Sequence, residues 1–470
     1  MRRTLLIATL VAGVAACASP GQKPLGSGEI EAKQDNVSEA VLANGLKVIV
    51  KEDHRAPVVV SQIWYKVGSS YEHEGVTGVS HVLEHMMFKG TEKHPAGEFS
   101  RIIAEHGGRE NAFTGRDYTA YFQTLEKSRL PVSFRLEADR MHNALMQAEE
   151  FKKEVQVVME ERRMRTEDDP QSLTYEQFNS VAYTNSPYRW PIIGWMGDLK
   201  ELTADDVSTW YHRWYVPNNA TLVVVGDVNA EEVVDLAKQT YGQVEPGQVP
   251  ELKSRDEVEQ RGERRMVVET PAQVPYLLIG YKVPSLNKDV PEWQPYALEV
   301  LANILDGGQS ARFARNLVRG SQVAASAGAG YDLYTPRQEL FIMDGTPAQG
   351  HSVEELEKAI YAQLDELKQN LVDDQELSRV KAQVVADKVY ERDSLFYQAM
   401  QIGKLETTGF GWEVQNEFVD RIEAVTAEQV REVARQYFDP QRRTVARLDP
   451  QPINGNNPRP MMHSGGGNVR

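Results

Sequence analysis

The chain has 470 residues, with 52 lysines and arginines against 68 aspartates and glutamates and a formal net charge of −16 at pH 7. So acidic a surface argues against nucleic acid as a partner and against simple electrostatic adhesion to anionic lipid; it favours cationic peptides weakly. The single cysteine excludes an intrachain disulfide, and the length allows two domains, each with its own core.

In chain order, Arg2 and Arg3 precede a short apolar run from Thr4 to Ala16. The run is too short for a stable membrane anchor, and residues 1–16 read as an export signal. Val14-Ala15-Ala16-Cys17 resembles the bacterial lipoprotein box, which implies a lipidated Cys17. Several acyl chains on one residue would hold the protein firmly to a membrane surface. Ala18, where an aspartate would direct otherwise, resembles outer-membrane sorting of a periplasm-facing protein. Removing the signal also removes Arg2 and Arg3 and makes the chain more acidic still. Residues 17–36, rich in proline and glycine with almost no large apolar residue, read as a flexible tether.

From Ala40 the pattern turns to strands and helices. Val41 to Val50 reads as a hairpin on the Asn44-Gly45 turn, and Val58 to Val67 as a further strand. The stretch Gly78 to Phe88 then carries apolar residues at 79, 82, 83, 86 and 87, the stripe of a helix that buries one side. With Val79 at zero, Glu84, His81 and His85 fall at about 140°, 200° and 240°, on the face away from that stripe. Histidines at i and i+4 stand one above the other, so their ring nitrogens converge on one ion, and zinc suits them. Glu84 lies one turn after His81, placed to take a proton from a metal-bound water. The string H-x-x-E-H is a zinc-peptidase signature.

A catalytic zinc needs three protein ligands and an open position, so a third must come from elsewhere. Phe151 to Arg165 reads as a helix carrying Glu154 and Glu161 two turns apart on one face, with Glu160 about 100° away. Geometry alone does not choose among them. With these segments the chain resembles the pitrilysin and insulysin family, which includes the β subunit of mitochondrial processing peptidase. In that family a glutamate 75 to 77 positions after the motif completes the zinc site, with another seven residues before it. Glu161 lies 76 positions after His85 (161 − 85), which the resemblance makes the third ligand, and Glu154 becomes a supporting acid.

Pro95 to Glu105 looks helical and ends at Gly107-Gly108, and Asn111 to Thr114 and Tyr118 to Thr124 are strand candidates. The family carries a similar Asn-Ala-aromatic-Thr segment on an edge strand beside the zinc, where an extended peptide adds as another strand. Asn111, Ala112 and Phe113 are therefore substrate-contact candidates by resemblance. Ser186 to Gly194 and Asn218 to Asp227 also match the family pattern, the latter a strand leading to a helix at Ala230 to Thr240. Gly242 to Gly262, charged and rich in proline and glycine, reads as a linker.

The second half repeats the first: Thr203 to Pro217 aligns without gaps on Thr426 to Pro440, an offset of 223 (426 − 203). A repeat that long is a duplicated domain. We therefore expect an α+β fold of two homologous sheet-plus-helix domains facing each other across a cleft: residues 37–241 with the zinc motif, a linker over 242–265, and 266–450 without it. Residues 451–470 read as a disordered tail. The helix matching the zinc helix is Tyr296 to Leu305, without a histidine, so one zinc per chain follows. In self-sufficient relatives the second domain supplies an arginine and, seven residues on, a tyrosine that hold substrate and oxyanion. Ser310 to Leu317 sets the register that puts Val318 and Ala325 at those positions, and neither can donate a hydrogen bond. Arg319, Tyr331 or Tyr334 substitute only in another register. The resemblance thus implies a zinc endopeptidase acting on peptides, paired with a homologous zinc-less subunit or with a second copy of itself. The competing expectation is a non-catalytic envelope scaffold of the same fold with a structural metal.

Overall fold

The computed structural model of the chain describes residues 29–33, 36–286 and 290–453. The export signal, Cys17, most of the tether and most of the tail fall outside them. In the first half the elements run β1 (Glu31–Ala32), β2 (Val37–Val41), β3 (Lys47–Glu52), β4 (Val58–Tyr65), α1 (Val79–Met86), α2 (Glu98–Glu105), β5 (Arg109–Thr114), β6 (Thr119–Glu126), α3 (Leu130–Asn143), α4 (Ala148–Arg162), α5 (Pro170–Ala182), α6 (Met196–Glu201), α7 (Ala204–Trp214), β7 (Ala220–Gly226) and α8 (Ala230–Gln239). The second half runs β8 (Arg264–Pro271), β9 (Tyr276–Val283), α9 (Trp293–Asp306), β10 (Ala324–Gly330), β11 (Glu339–Pro347), α10 (Val353–Gln369), α11 (Asp374–Glu391), α12 (Leu395–Thr407), α13 (Val414–Ala424), α14 (Ala427–Tyr437) and β12 (Arg443–Gln451).

Two mixed sheets result, ordered β1-β2-β3-β7-β4-β6-β5 and β10-β11-β9-β12-β8. Read in reverse, the second repeats the last five strands of the first, and each has one parallel pair, β3 with β7 and β12 with β8. The chain therefore folds as two copies of one α+β unit. Local chemistry agrees, because α7 and α14 start from matching capping boxes, Thr203 with Asp206 and Thr426 with Gln429, at the same offset of 223 (426 − 203). One departure falls in the tether. Glu31 and Ala32 pair with Glu39 and Ser38, because Ile30 beside them packs on the first core.

In each half one face of the sheet is covered by that half's own helices, around Val82, Leu83, Phe134 and Trp210 in the first and Leu298, Leu301, Ile360 and Val433 in the second. The other faces are covered reciprocally. Helix α12 lays Ala399, Met400 and Ile402 on Val60, Trp64 and Val223 of the first sheet. Phe178 and Ala182 of α5 pack on Leu278, Leu340 and Ala446 of the second. Residues 244–262 have no regular structure, yet they are stitched down: Glu257 accepts the backbone N–H groups of Thr184, Asn185 and Ser186 and pairs with Lys282 at 2.5 Å, both side chains buried. Strand β8 begins at Arg264, inside the stretch read as linker.

Candidate metal centre

Helix α1 is set at its first turn. Gly78 precedes it with φ of +88°, and a Cβ there would lie 2.7 Å from the Ile193 carbonyl oxygen, so only glycine fits. The buried carboxylate of Glu72 accepts the N–H groups of Gly78 at 2.8 Å and Ser80 at 2.9 Å, satisfying two orphan donors of the helix start. The apolar stripe of Val79, Val82, Leu83 and Met86 is buried as its periodicity requires. The opposite face is not left to solvent, because α4 and β5 lie over it; Glu84 is buried and His81 and His85 are partly so.

The structure brings His81, His85 and Glu161 together, each offering a ligand atom within 4.8 Å of the others. Glu161 Oε2 lies 3.8 Å from His81 Nε2 and 3.5 Å from His85 Nε2. A tetrahedral zinc with bonds of about 2 Å separates its ligands by roughly 3.3 Å, so this spacing fits the ion with small adjustments. Arg165 takes the other carboxylate oxygen at 2.6 Å, leaving Glu161 one oxygen for the site. Beyond the triad, Glu154 Oε2 lies 3.3 Å from His85 Nδ1, and its Oε1 lies 2.6 Å from Lys89 Nζ. That carboxylate behind an imidazole is the usual outer support of a metal-binding histidine. His81 has no such support, and its Nδ1 is buried without a hydrogen-bond partner among the described residues. Glu160 points away, pairing with Arg163 on the exposed side.

The electrostatics suit ligands. Burial, and then the neighbouring His85, hold the His81 imidazole down to about 4, so it stays neutral at physiological pH. Burial alone would also lower His85, but the hydrogen bond its ring N–H donates to Glu161 and the Glu84 charge outweigh it and raise the group. The same hydrogen bond lowers Glu161, keeping it a carboxylate. Burial raises Glu84, opposed by a hydroxyl donor, Thr114 Oγ1, at 2.5 Å from Oε2. The shortlist of Asn111, Ala112 and Phe113 stops one residue short of this threonine. Period-two alternation places Thr114 on the same face as Ala112, toward α1, and was the available signal.

These residues line a cavity of about 990 Å³ that also takes in the edge strand from Asn111 to Thr114. Strand β5 ends its sheet, so its outer backbone groups have no strand partner among the described residues. The Phe113 side chain turns to the far side of the sheet, against Trp64 at 5.3 Å between ring centroids, so what it shows the cavity is backbone. Arg116, Tyr175 and Ile192 are shared with a second cavity of about 890 Å³ walled by the second half. There Glu299 and Asn303 of α9 lie 16 and 20 residues after the end of β9 (299 − 283 and 303 − 283), as His81 and His85 lie after β4 (81 − 65 and 85 − 65). Neither belongs to a metal-binding group, the only other such group among the described residues being Glu39, Glu406 and Glu413. That group already holds a cation, with Lys47 Nζ 2.6 Å from Glu406 and 3.3 Å from Glu39. Val318 packs on the second core and Ala325 lies exposed on β10; neither lines the cavity holding the histidines.

Residues 47–194 match the model described as insulinase, peptidase family M16, and residues 201–384 match the peptidase M16 inactive domain. Zinc protease PqqE of Helicobacter pylori is 34% identical over 359 residues, covering 75% of this chain and 79% of that protein. An uncharacterised zinc protease of Bacillus subtilis, YmxG, is 26% identical over 395 residues, covering 84% and 94%. Among solved structures, a protease from Helicobacter pylori superposes with a TM-score of 0.83 at 30% identity, covering 88% of this chain and 99% of that one. A peptidase M16 inactive domain from Pseudomonas fluorescens shares the fold, with a TM-score of 0.79 at 16% identity over 89% and 100% of the two chains.

Proposed function

The chain belongs to the insulinase family of M16 peptidases, and from that premise we propose that it is a zinc-dependent endopeptidase of the cell envelope, the metal-bearing member of a two-chain enzyme. The observation that carries the catalytic part is the convergence of His81, His85 and Glu161 with Glu84 held beside them. Zinc, when bound by these three residues, polarises the scissile carbonyl and lowers the pKa of a water. Glu84 takes the proton of that water and passes it to the leaving amine nitrogen, so one carboxylate serves as base and then as acid. Strand β5 aligns the peptide by pairing with its backbone, which puts an extended segment rather than a folded surface against Glu84. Asn111, Ala112 and Phe113 supply that edge mainly through their backbone.

The two-chain part rests on Val318 and Ala325, which offer no donor to a developing oxyanion. Tyr331, which lines the second cavity, already donates its hydroxyl to the Pro284 carbonyl oxygen at 2.6 Å, and Arg319 is engaged by Gln309. A sister chain supplying an arginine and a tyrosine would complete the site. The envelope part rests on the export signal and on Cys17, which would be the lipid-bearing residue. No helix among the described residues is long and apolar enough to cross a membrane.

The decisive test is Glu84→Gln in purified protein. Zinc content should stay at one per chain while peptide cleavage falls by about a thousandfold or more. Cleavage surviving in Glu84→Gln would remove Glu84 as the base. Full turnover by the wild-type chain alone would remove the sister subunit, and loss of lipid labelling in Cys17→Ala checks the anchor.

A further inference from the structure

Glu84 stands on the same helix face as both histidines, next to His85 and one turn from His81, and it lines the same cavity. A carboxylate so placed is itself a good zinc ligand, and a fourth protein ligand would close the position that a reacting water needs. Yet Glu84 is outside the cluster that His81, His85 and Glu161 form. Its Oε2 instead accepts the Thr114 hydroxyl at 2.5 Å.

Both partners are fixed. Thr114 ends β5 opposite Thr119, and the turn beyond is closed by Gly115 N–H to the Tyr118 carbonyl oxygen at 2.8 Å. The carbonyl oxygens of Gly115 and Arg116 accept the N–H groups of Ser69 at 3.2 Å and Ser70 at 2.7 Å. A Cβ on Gly68 would lie 2.3 Å from the Gly115 oxygen, so the two segments are in close backbone contact. Two residues after Ser70, Glu72 grips the first turn of α1. The strand end carrying the donor and the helix carrying the acceptor therefore belong to one hydrogen-bonded bracket.

We propose that Thr114 is a positioning residue that keeps Glu84 out of the metal's coordination shell and leaves its second oxygen to receive the proton of water. This rests on the peptidase reading only for its effect on turnover; the effect on coordination is separate. Because the same strand end would receive the peptide, the position of the base is tied to the strand that carries the substrate.

The test uses the full chain loaded with cobalt(II), whose visible bands report coordination, and the zinc-loaded chain in steady-state cleavage. Thr114→Val should change the cobalt band envelope as Glu84 swings onto the ion. The double variant Thr114→Val/Glu84→Gln should return it to the wild-type form, and Thr114→Ser should match wild type. With zinc, Thr114→Val should lower kcat about ten- to a hundredfold with KM within about twofold, and Thr114→Ser should restore it. A cobalt spectrum of Thr114→Val superimposable on wild type overturns the proposal, as does a kcat loss that serine does not restore. If Thr114→Val loses its folded circular dichroism, Thr114→Ala takes its place with the same readouts. Should the wild-type chain cleave no peptide either alone or with a homologous zinc-less subunit, the peptidase reading fails while the cobalt spectra still decide the role of Thr114.

Discussion

Glu154 faces an imidazole rather than the cavity: its Oε2 lies against His85 Nδ1, and Lys89 pairs with its other oxygen. Glu154→Gln should therefore weaken zinc affinity by about ten- to a hundredfold, read by competition with a chromophoric chelator, while fully loaded enzyme keeps most of its kcat. Unchanged affinity would make Glu154 a buried partner of Lys89 and nothing more. At this scale His81, Glu84 and His85 could be read directly, since a 3.6-residue period separates the face they share from the face of Leu83. The choice of Glu161 over Glu160 rested on resemblance, because no period says which side of one helix meets another. For Thr114 the strand alternation gives the face, but nothing in the sequence says that Glu84 of another element lies opposite its hydroxyl.

Single elements are held by contacts that can be challenged one at a time. Helix α10 is tied to strands β8 and β12 by Glu357, which pairs with Arg265 and with Arg447 at 2.6 Å and accepts the Tyr361 hydroxyl at 2.7 Å. Burial would raise its pKa, but those donors outweigh it and bring it down to about 2. A group depressed on folding stabilises the fold at pH values above its unfolded pKa, and that contribution is lost as pH falls toward the folded value. The wild-type protein should thus lose on the order of 2 kcal/mol between about pH 5 and pH 2 from this group, and Glu357→Gln should remove that part of the acid limb in denaturant titrations. Helix α12 offers a steric test. A Cβ on Gly403 would lie 2.1 Å from the indole of Trp64, which is fully buried and hydrogen-bonded to Gln62 at 2.9 Å. Gly403→Ala should lower the melting temperature by several degrees, a cost of about 1–3 kcal/mol for overpacking. A melting point equal to wild type would mean that α12 shifts freely over the first sheet. The capping boxes at Thr203 and Thr426 mark in the sequence where α7 and α14 start. What an apolar stripe packs against is not marked, because amphipathicity names a buried side and not its neighbour.

For the molecule as a whole, the duplication was visible in one ungapped stretch, and the five strands of the second sheet repeat five of the first sheet's seven. The reciprocal covering by α5 and α12 was not, because it depends on contacts between residues more than a hundred positions apart, such as Phe178 with Gly280 and Trp64 with Gly403. It predicts that residues 37–241 produced alone will aggregate with Val60, Trp64 and Val223 uncovered, and that co-expression with residues 242–453 will recover a soluble complex that co-elutes on size exclusion. A soluble, monomeric first half with native-like near-ultraviolet dichroism would contradict this. The same crossing of helices bears on how the chain is made. The first sheet lacks its second cover until residue 407 has been synthesised and docked, so a nascent polypeptide is expected to keep that face open, and in need of a holding chaperone, for most of its translation. Under the export proposed above, that delay would leave the chain threadable through a secretion pore.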